Sequence, residues 1–469
     1  MYRIGGLGLT GHPAVTRSGR TPLPRLVVLT RYPQPGRTKT RLAPVLGDDG
    51  AAALHSDLAR HCVRRMHATA LSGSAILEVH VSGAGARETR RWLGRDVAVR
   101  QQAEGDLGDR LAAAAGSAIA DGAPAVVLVG SDAPGLGGTH VREALAALAD
   151  ADVVLGPALD GGYYLVASSR ASSVRALPAL LGPHIPWGTA AVLEQSLAAA
   201  RASGLAVRLL EPLADIDRPE DLAVWESLLA DEERARLDPR VSVVIPALNE
   251  EPVIVAAVES AQRAGAHEII VADGGSDDRT AALASQSGAL VIAAGRGRSR
   301  QLNAGARAAS GDVLLFLHAD TMLPVDAVEH VRRVMADPDV VLGSFRFSAG
   351  DPSSRVDRLI STVGDRRHRV SRLPYGDQAP FVRAVDFADL GGFPDLPVME
   401  DYEFALRCAR LGRLGLASAA VRTSARAWHE HGLVRTTLTN SAVIAGYRLG
   451  VPADTLAGWR GHIAERGGD

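Results

Sequence analysis

Short apolar runs rich in Val, Ile and Leu alternate along the chain with Ala/Leu-rich stretches of helical spacing. In the first half the runs are RLVVLT (Arg25–Thr30), AILEVHVS (Ala75–Ser82), AVVLVGSD (Ala125–Asp132) and ADVVLGPA (Ala151–Ala158). A charged stretch, LADEERARLDPR (Leu229–Arg240), interrupts the pattern, which then restarts with VSVVIPALNE (Val241–Glu250), Glu268–Gly274, Gly288–Gly295 and Asp312–Asp320. Continuous apolar runs of this length, separated by helical stretches, predict strands covered on both faces, and hence α/β units with mainly parallel sheets. The predicted order is a disordered N-terminus (1–24), a first α/β domain (25–228), a linker (229–240), a second α/β domain (241–455) and a C-terminal tail (456–469).

Composition narrows the picture. With 469 residues, 46% of them hydrophobic, the chain is long enough for two cores. A net charge of -2 gives no clustered positive surface for nucleic acid. The arginine-rich stretch Arg355–Arg372 is the local exception, either a solvated loop or a flap that meets a phosphate or an anionic membrane surface. Cys62 and Cys408 lie far apart in no metal-ligand spacing, which fits a reducing cytoplasm. The first residues lack the apolar core of a signal peptide, and no run approaches the roughly twenty apolar residues of a membrane span. A cytoplasmic protein, with peripheral membrane contact left open, is the expectation.

In the second half, polar groups follow the apolar runs. Pro246 is expected to end its strand, with Asn249 and Glu250 just before a helix, where ribose or base is readily held. Asp273 precedes a Gly-Gly-Ser-Asp turn that a flat ring can approach closely, although Asp277 and Asp278 would also serve simply as helix caps. RGRSRQLNAG (Arg296–Gly305) places Arg296, Arg298 and Arg300 on a Gly-rich helix entry suited to a diphosphate. Asp320 closes the run LLFLHAD, where a bare carboxylate is costly unless a cation or hydrogen bonds hold it. Glu400 and Asp401 open a further helix; Asp401 is the candidate general base, with helix capping as its plainer role.

The order of these motifs, with PYGDQ (Pro374–Gln378), LGGFPDLPVMEDYEF (Leu390–Phe404) and RTTLTN (Arg435–Asn440), closely resembles the family-2, GT-A-fold inverting glycosyltransferases. More narrowly, it resembles the transferase 2 subgroup associated with radical-SAM and selenodomain proteins or with arsenosugar biosynthesis. The resemblance runs from about Val241 to Gly450. It implies a nucleotide-sugar donor held by Pro246, Asn249, Glu250, Asp273, Arg296, Arg298 and Asn303, with Asp273 at the base. It further implies Mg²⁺ or Mn²⁺ at Asp320, an acceptor side formed by Gly376, Asp377, Gln378 and Glu400, and Asp401 as base. His318 stands at the first acidic position of the family's DxD pattern, and the QxxRW pattern of processive synthases is absent, which implies single transfers.

In the first half, TRYPQPGRTKTRL places Arg31, Arg37, Lys39 and Arg41 on a Pro/Gly loop after the first strand, a setting for phosphates. Lys39 is the only lysine among 51 basic residues, and a compact ammonium that touches phosphate is one reason for it. Asp132 and Asp160 supply carboxylates for a metal, while DIDRPEDL (Asp215–Leu222) reads as a plain helix start. With GDLGDRL (Gly105–Leu111), these pieces resemble the GT-A-like transferase 1 family (DUF2064), related to 2-phospholactate guanylyltransferase and other nucleotidyltransferases, over about Arg25 to Leu228. That family's D-T-P-E-D becomes Asp217-Arg218-Pro219-Glu220-Asp221 in this chain. The combined expectation is a bifunctional transferase whose first half makes the activated sugar that the second transfers to a small-molecule or lipid acceptor. Two successive glycosyl transfers, to a carotenoid-type acceptor for example, or a non-catalytic nucleotide-binding first half, are the alternatives.

Overall fold

The computed structural model describes residues 22–95, 97–350, 353–362, 373–425 and 432–465. Nearly all of the segment expected to be a disordered N-terminus, and 363–372 of the arginine-rich stretch, lie outside them. The chain forms two compact units that divide between Glu232 and Glu233. That division falls inside the helix Leu222–Leu237, so the segment expected as a linker is helical for most of its length. Likewise, the expected tail begins within the helix Ala453–Glu465.

The N-terminal unit is built on seven strands: β1 (Arg25–Arg31), β2 (Ile76–Ser82), β3 (Ala98–Gln101), β4 (Ala125–Gly130), β5 (Val153–Pro157), β6 (Tyr163–Ser169) and β7 (Val207–Leu209). Their order is β3-β2-β1-β4-β6-β5-β7. Strands β1 to β4 run parallel, while β6 pairs antiparallel with both β4 and β5. Alternation along β1 puts Leu26 and Val28 into one core with Cys62, Met66 and Val127. Val27 and Leu29 enter the opposite core with Ala115, Leu128 and Leu180. Both faces are therefore covered, which is why β1 and β4 read as unbroken apolar runs.

The C-terminal unit has eight strands: β8 (Val241–Ala247), β9 (Glu268–Asp273), β10 (Leu290–Ala293), β11 (Val313–Phe316), β12 (Thr321–Met322), β13 (Val340–Ala349), β14 (Phe381–Arg383) and β15 (Arg413–Thr423). Their order is β10-β9-β8-β11-β14-β13-β15-β12, with β10 to β11 all parallel. Val241, Val243, Ile245, Val271, Leu315 and Leu317 share one buried cluster. On the other face the helix Arg298–Ala308 lies so close that a Cβ on Gly305 would meet the Val244 side chain at 2.3 Å. A glycine is required at that contact.

Two boundaries differ from expectation. Pro246 does not end β8, because parallel pairing continues through Pro246↔Ala272 and Ala247↔Asp273. Asp320 is not the last residue of its strand. β11 stops at Phe316, and a turn closed by Thr321 N donating to His318 O at 3.0 Å carries Asp320 beyond it.

Asp312, just before β11, fastens the end of the helix Leu222–Leu237 to the sheet. Arg234 Nη2 donates to Asp312 Oδ1 at 2.9 Å, and the Arg240 backbone N donates to Oδ2 at 2.9 Å. Burial alone would raise this carboxyl, but the Arg234 and Arg240 hydrogen bonds outweigh it and hold Asp312 well below the usual carboxylate range. A depressed folded-state value contributes stability that is present above the unfolded carboxylate pKa and is lost as pH falls below it. Because both arginines are about half exposed, Asp312→Ala is expected to cost the C-terminal unit about 1–3 kcal/mol at pH 7. Denaturant titration of both proteins at pH 7 and pH 3 checks this, and the difference should shrink at the acid pH.

Candidate functional site

In the N-terminal unit a cleft of about 780 Å³ opens at the carboxyl ends of β1 and β4. The loop after β1 lines it with Arg31, Arg37, Lys39 and Arg41; Asp132, Asp160, Asp215 and Asp217 face it from other segments. Lys39 adopts a left-handed backbone (φ 50°) and its side chain is only 4% exposed. Its Nζ lies 2.8 Å from Asp132 Oδ2 and 3.7 Å from Asp217 Oδ1. Burial would lower the Lys39 pKa, but the charge and hydrogen bond of Asp132, with the charges of Asp217 and Asp215, together outweigh it, so the ammonium is held above its ordinary value. In return Lys39, with His55, holds the Asp132 carboxyl down against burial.

In this geometry the Lys39 ammonium, expected to face a phosphate, serves as a counter-ion to Asp132 and Asp217. Arg41 is tied in the same way, its Nη1 donating to Asp217 Oδ2. Arg31 and Arg37 remain at the cleft wall. Asp132 and Asp160 both line the cleft, yet their electrostatic partners differ. Burial and then the charge of Asp160 push Asp215 up to about 6, so Asp160 acts on Asp215 while Asp132 serves Lys39.

Asp215 and Asp217 were missed as site residues because DIDRPEDL satisfies a helix start locally. Asp221 performs that role, its Oδ2 accepting from Asp217 N at 2.9 Å and Arg218 N at 2.7 Å. His55 was missed too, lying inside the helix Ala43–Leu71. It is anchored by a 2.9 Å contact of Nε2 with Arg31 O and sits 3.7 Å from Asp132. Arg110 also lines the cleft, on the first turn of the helix Leu107–Ala120, which Asp106 and Asp109 cap reciprocally.

In the C-terminal unit, β8, β9 and β11 bring their following loops to one edge of the sheet. Asp273 accepts from Gly275 N at 3.1 Å and from Ser276 Oγ at 2.5 Å, which shapes the turn after β9. Asn249, itself left-handed (φ 56°), accepts from Asp277 N at 2.9 Å and ties the two loops together. Glu250 N donates to Thr280 Oγ1 at 2.8 Å. Asp278 Oδ1 accepts from Thr280 N at 2.9 Å, just before the helix Thr280–Gln286, whose N-cap is Arg279.

A second group surrounds His318. Asp401 Oδ2 accepts from Gly376 N at 2.7 Å, and Oδ1 from Tyr402 N at 2.7 Å. Met399, not Asp401, is the N-cap of the helix Glu400–Leu411. A Cβ on Gly376 would stand 2.8 Å from His318 Nε2 and 3.1 Å from Asp401 Oδ2, so the loop, the imidazole and the carboxylate meet at one point. Burial and then Arg298 hold His318 below its ordinary value, against the pull of Asp320, Asp377 and Asp401. Arg298 Nη1 lies 3.4 Å from Oε1 of the buried Glu400.

Several expected contacts turn out to be internal. Gln378 is 1% exposed, its Nε2 donating to Phe345 O and its Oε1 accepting from Tyr375 N, so it supports the loop from beneath. Asn303 clamps Phe393 through both amide atoms, at 2.8 and 2.9 Å. Arg296 is exposed and lies 3.8 Å from Asp277. Pro246 is half-buried in its ladder. Among the described residues no cluster of three or more His, Cys, Asp or Glu is arranged to hold a metal ion.

Both units are α/β folds with mostly parallel sheets. Residues 242–384 match the family described as "Glycosyl transferase family 2". Residues 65–189 match one described as "Uncharacterized protein conserved in bacteria (DUF2064)". The two matches lie in tandem along the chain, in the order the motifs suggested. An undecaprenyl-phosphate 4-deoxy-4-formamido-L-arabinose transferase of Serratia proteamaculans is 31% identical over 159 residues, 30% of this chain and 49% of that protein. An N-acetylglucosaminyltransferase of Bradyrhizobium elkanii is 33% identical over 114 residues, 22% of this chain and 63% of that protein. The chain therefore spans between about half and under two thirds of the length of these curated relatives. Among solved structures, a putative nucleotide-diphospho-sugar transferase from Desulfovibrio desulfuricans G20 is 31% identical, covering 46% of this chain and 91% of its own, with a TM-score of 0.40.

The cleft geometry separates two roles by substitution. Lys39→Met removes a buried cation from Asp132 and Asp217 and is expected to lower the stability of the N-terminal unit by about 1–3 kcal/mol. Arg37→Ala should leave stability within about 0.5 kcal/mol and weaken nucleotide binding instead. Thermal unfolding paired with nucleotide titration calorimetry distinguishes the two.

Proposed function

We propose that the C-terminal unit transfers a sugar, with inversion, from a nucleotide-sugar donor to a hydroxyl of a small-molecule or lipid acceptor. The observation that carries this reading is the Asp401 carboxylate, aimed by Gly376 N at 2.7 Å beside His318 and near Asp320, at the edge where β8, β9 and β11 end. Asp273 and Asn249 shape the loops that would receive the base and ribose, and the half-exposed Arg298 would meet the diphosphate. Asp401 takes the proton of the acceptor hydroxyl as its oxygen bonds to the anomeric carbon and the bond to the diphosphate breaks on the opposite face. A lipid phosphate would suit the arginine-rich stretch Arg355–Arg372, and the Serratia relative's name cites such an acceptor.

A divalent cation fits this site only in part. Asp320, with neutral His318 beside it, offers few protein ligands, so donor phosphates and water would complete the shell. Mg²⁺ or Mn²⁺ held there would stabilise charge on the departing diphosphate.

For the N-terminal unit the reading is a nucleotide-dependent transferase that activates the sugar, with Arg31, Arg37 and Arg110 facing phosphates across the cleft and Asp160 and Asp215 at its acidic end. Among the described residues no helix is long and apolar enough to cross a membrane. A cytoplasmic enzyme with peripheral contact to its acceptor is the reading that suits both units.

Nucleotide release from UDP-, GDP-, dTDP- and ADP-sugars with Mn²⁺ or Mg²⁺ tests the C-terminal assignment. Asp401→Asn and Asp320→Ala should each lower release by roughly 10²-fold or more, while Asp132→Ala leaves it unchanged. Equal release from all four proteins would overturn the assignment. For the N-terminal unit, the Asp320→Ala chain should still release pyrophosphate from a nucleoside triphosphate and a sugar phosphate, and the added Arg37→Ala change should suppress it. Absence of pyrophosphate from every pair tried would leave that unit without an activating role.

A further inference from the structure

We infer that Tyr402 and Arg448 form a positioning clamp that sets the aim of Asp401 from behind, through a helix that lies beyond the segment matched by the glycosyltransferase family. The inference rests on the role of Asp401 proposed above. Tyr402 follows Asp401 directly and is 1% exposed. Its backbone N–H is one of the two donors that fix the Asp401 carboxylate. Its ring lies 6.3 Å from that of Tyr375, which immediately precedes Gly376, the source of the other donor. One buried ring therefore touches both segments whose N–H groups hold the carboxylate.

The helix Leu433–Arg448 locks that ring. Arg448 Nε donates to Tyr402 Oη at 2.7 Å, and the guanidinium carbon stands 5.7 Å from the ring centroid. Tyr447 packs edge-on against Tyr402 at 6.0 Å and donates its hydroxyl to Glu403 Oε2 at 2.9 Å. Burial, and then the charge of Glu403, push the Tyr447 hydroxyl up, so it stays protonated as a donor. The helix Ala453–Glu465 backs this arrangement, because a Cβ on Gly446 would stand 2.8 Å from Leu456 and 3.0 Å from Trp459. Hydrogen bonds to a phenol oxygen and to a carboxylate, made by adjacent residues of one helix, leave the Asp401 helix little freedom to rotate. A general base displaced by about 1 Å loses rate far more than it loses binding, which is the signature that separates positioning from donor recognition.

The test compares Arg448→Ala, Arg448→Lys, Tyr402→Phe and Asp401→Asn in the full chain. Two readouts are used: nucleotide release from whichever nucleotide sugar of the four is turned over, and amide hydrogen exchange of the Gly376 and Tyr402 segments. Arg448→Ala and Tyr402→Phe should lower kcat roughly tenfold or more with the donor KM within about twofold. Both should also speed exchange at Gly376 and Tyr402 while the amides of β8 keep their protection. Arg448→Lys, which can still donate to Tyr402 Oη, should recover most of kcat. Unchanged exchange at Gly376 in Arg448→Ala overturns the clamp whether or not a donor is found. So does wild-type kcat in that variant, or a fall in β8 protection that Arg448→Lys fails to restore. Full turnover in Asp401→Asn sinks the role of Asp401 and the clamp with it, whereas an inactive Asp401→Asn beside fully active clamp variants sinks the clamp alone.

Discussion

A strand covered on both faces has little room for polar side chains except at its ends, and the central strands of both units are organised by that constraint. In β1 the alternating residues Leu26, Val27, Val28 and Leu29 enter two different cores. In β8 one face joins the main core while the other meets the helix Arg298–Ala308 at Gly305. Chemistry is thereby displaced to the loops that follow, as is usual for ligands at the carboxyl edge of an open α/β sheet. The same force that builds the core chooses the site: burying Val, Ile and Leu along each strand leaves Asp273 at the last ladder pair of β9, and Asp132 and Asp320 beyond the ends of β4 and β11.

At those edges the two units handle charge in opposite ways. In the N-terminal cleft the buried ammonium of Lys39 is neutralised by Asp132 and Asp217, and Arg41 by Asp217. Such pairs are needed because an unpaired charge at 4% exposure would be strongly unfavourable. Around His318, by contrast, Asp320, Asp377 and Asp401 gather near the half-exposed Arg298, which itself faces Glu400. Burial and then Arg298 hold the imidazole below its ordinary value in spite of three carboxylates.

Much of the fold was legible, because long apolar runs in alternation with helical stretches admit few architectures. β1, β2, β4, β8 and β9 lie where the pattern put them. The strands beyond the parallel cores of the two sheets were harder to see. β6 begins in Tyr163 and Tyr164 just after a Gly-Gly turn, and β15 (RLGLASAAVRT) mixes exposed and buried positions, so neither shows a clean period. Partners remote in sequence were not legible. Nothing near Lys39 in the chain announced Asp132 and Asp217, and nothing near Asn303 announced Phe393. Asp215 and Asp217 were hidden behind a helix start that was itself real.

The Asp401 geometry shows why a short motif can name a residue yet not explain it. MEDYEF announces an acidic helix start, and capping would account for it if the carboxylate met only its own helix. Instead one oxygen reaches the Gly376 amide, 25 residues earlier in the chain, while the other is held by Tyr402. That crossing is possible only because position 376 lacks a side chain: any Cβ would stand within 2.8 Å of His318. The residue that orients the carboxylate is thus the one in PYGDQ that carries no functional group. Its neighbour Gln378, chemically the more inviting, is fully buried beneath the same loop. What aims the carboxylate is backbone geometry and close packing, which a sequence records only as a glycine.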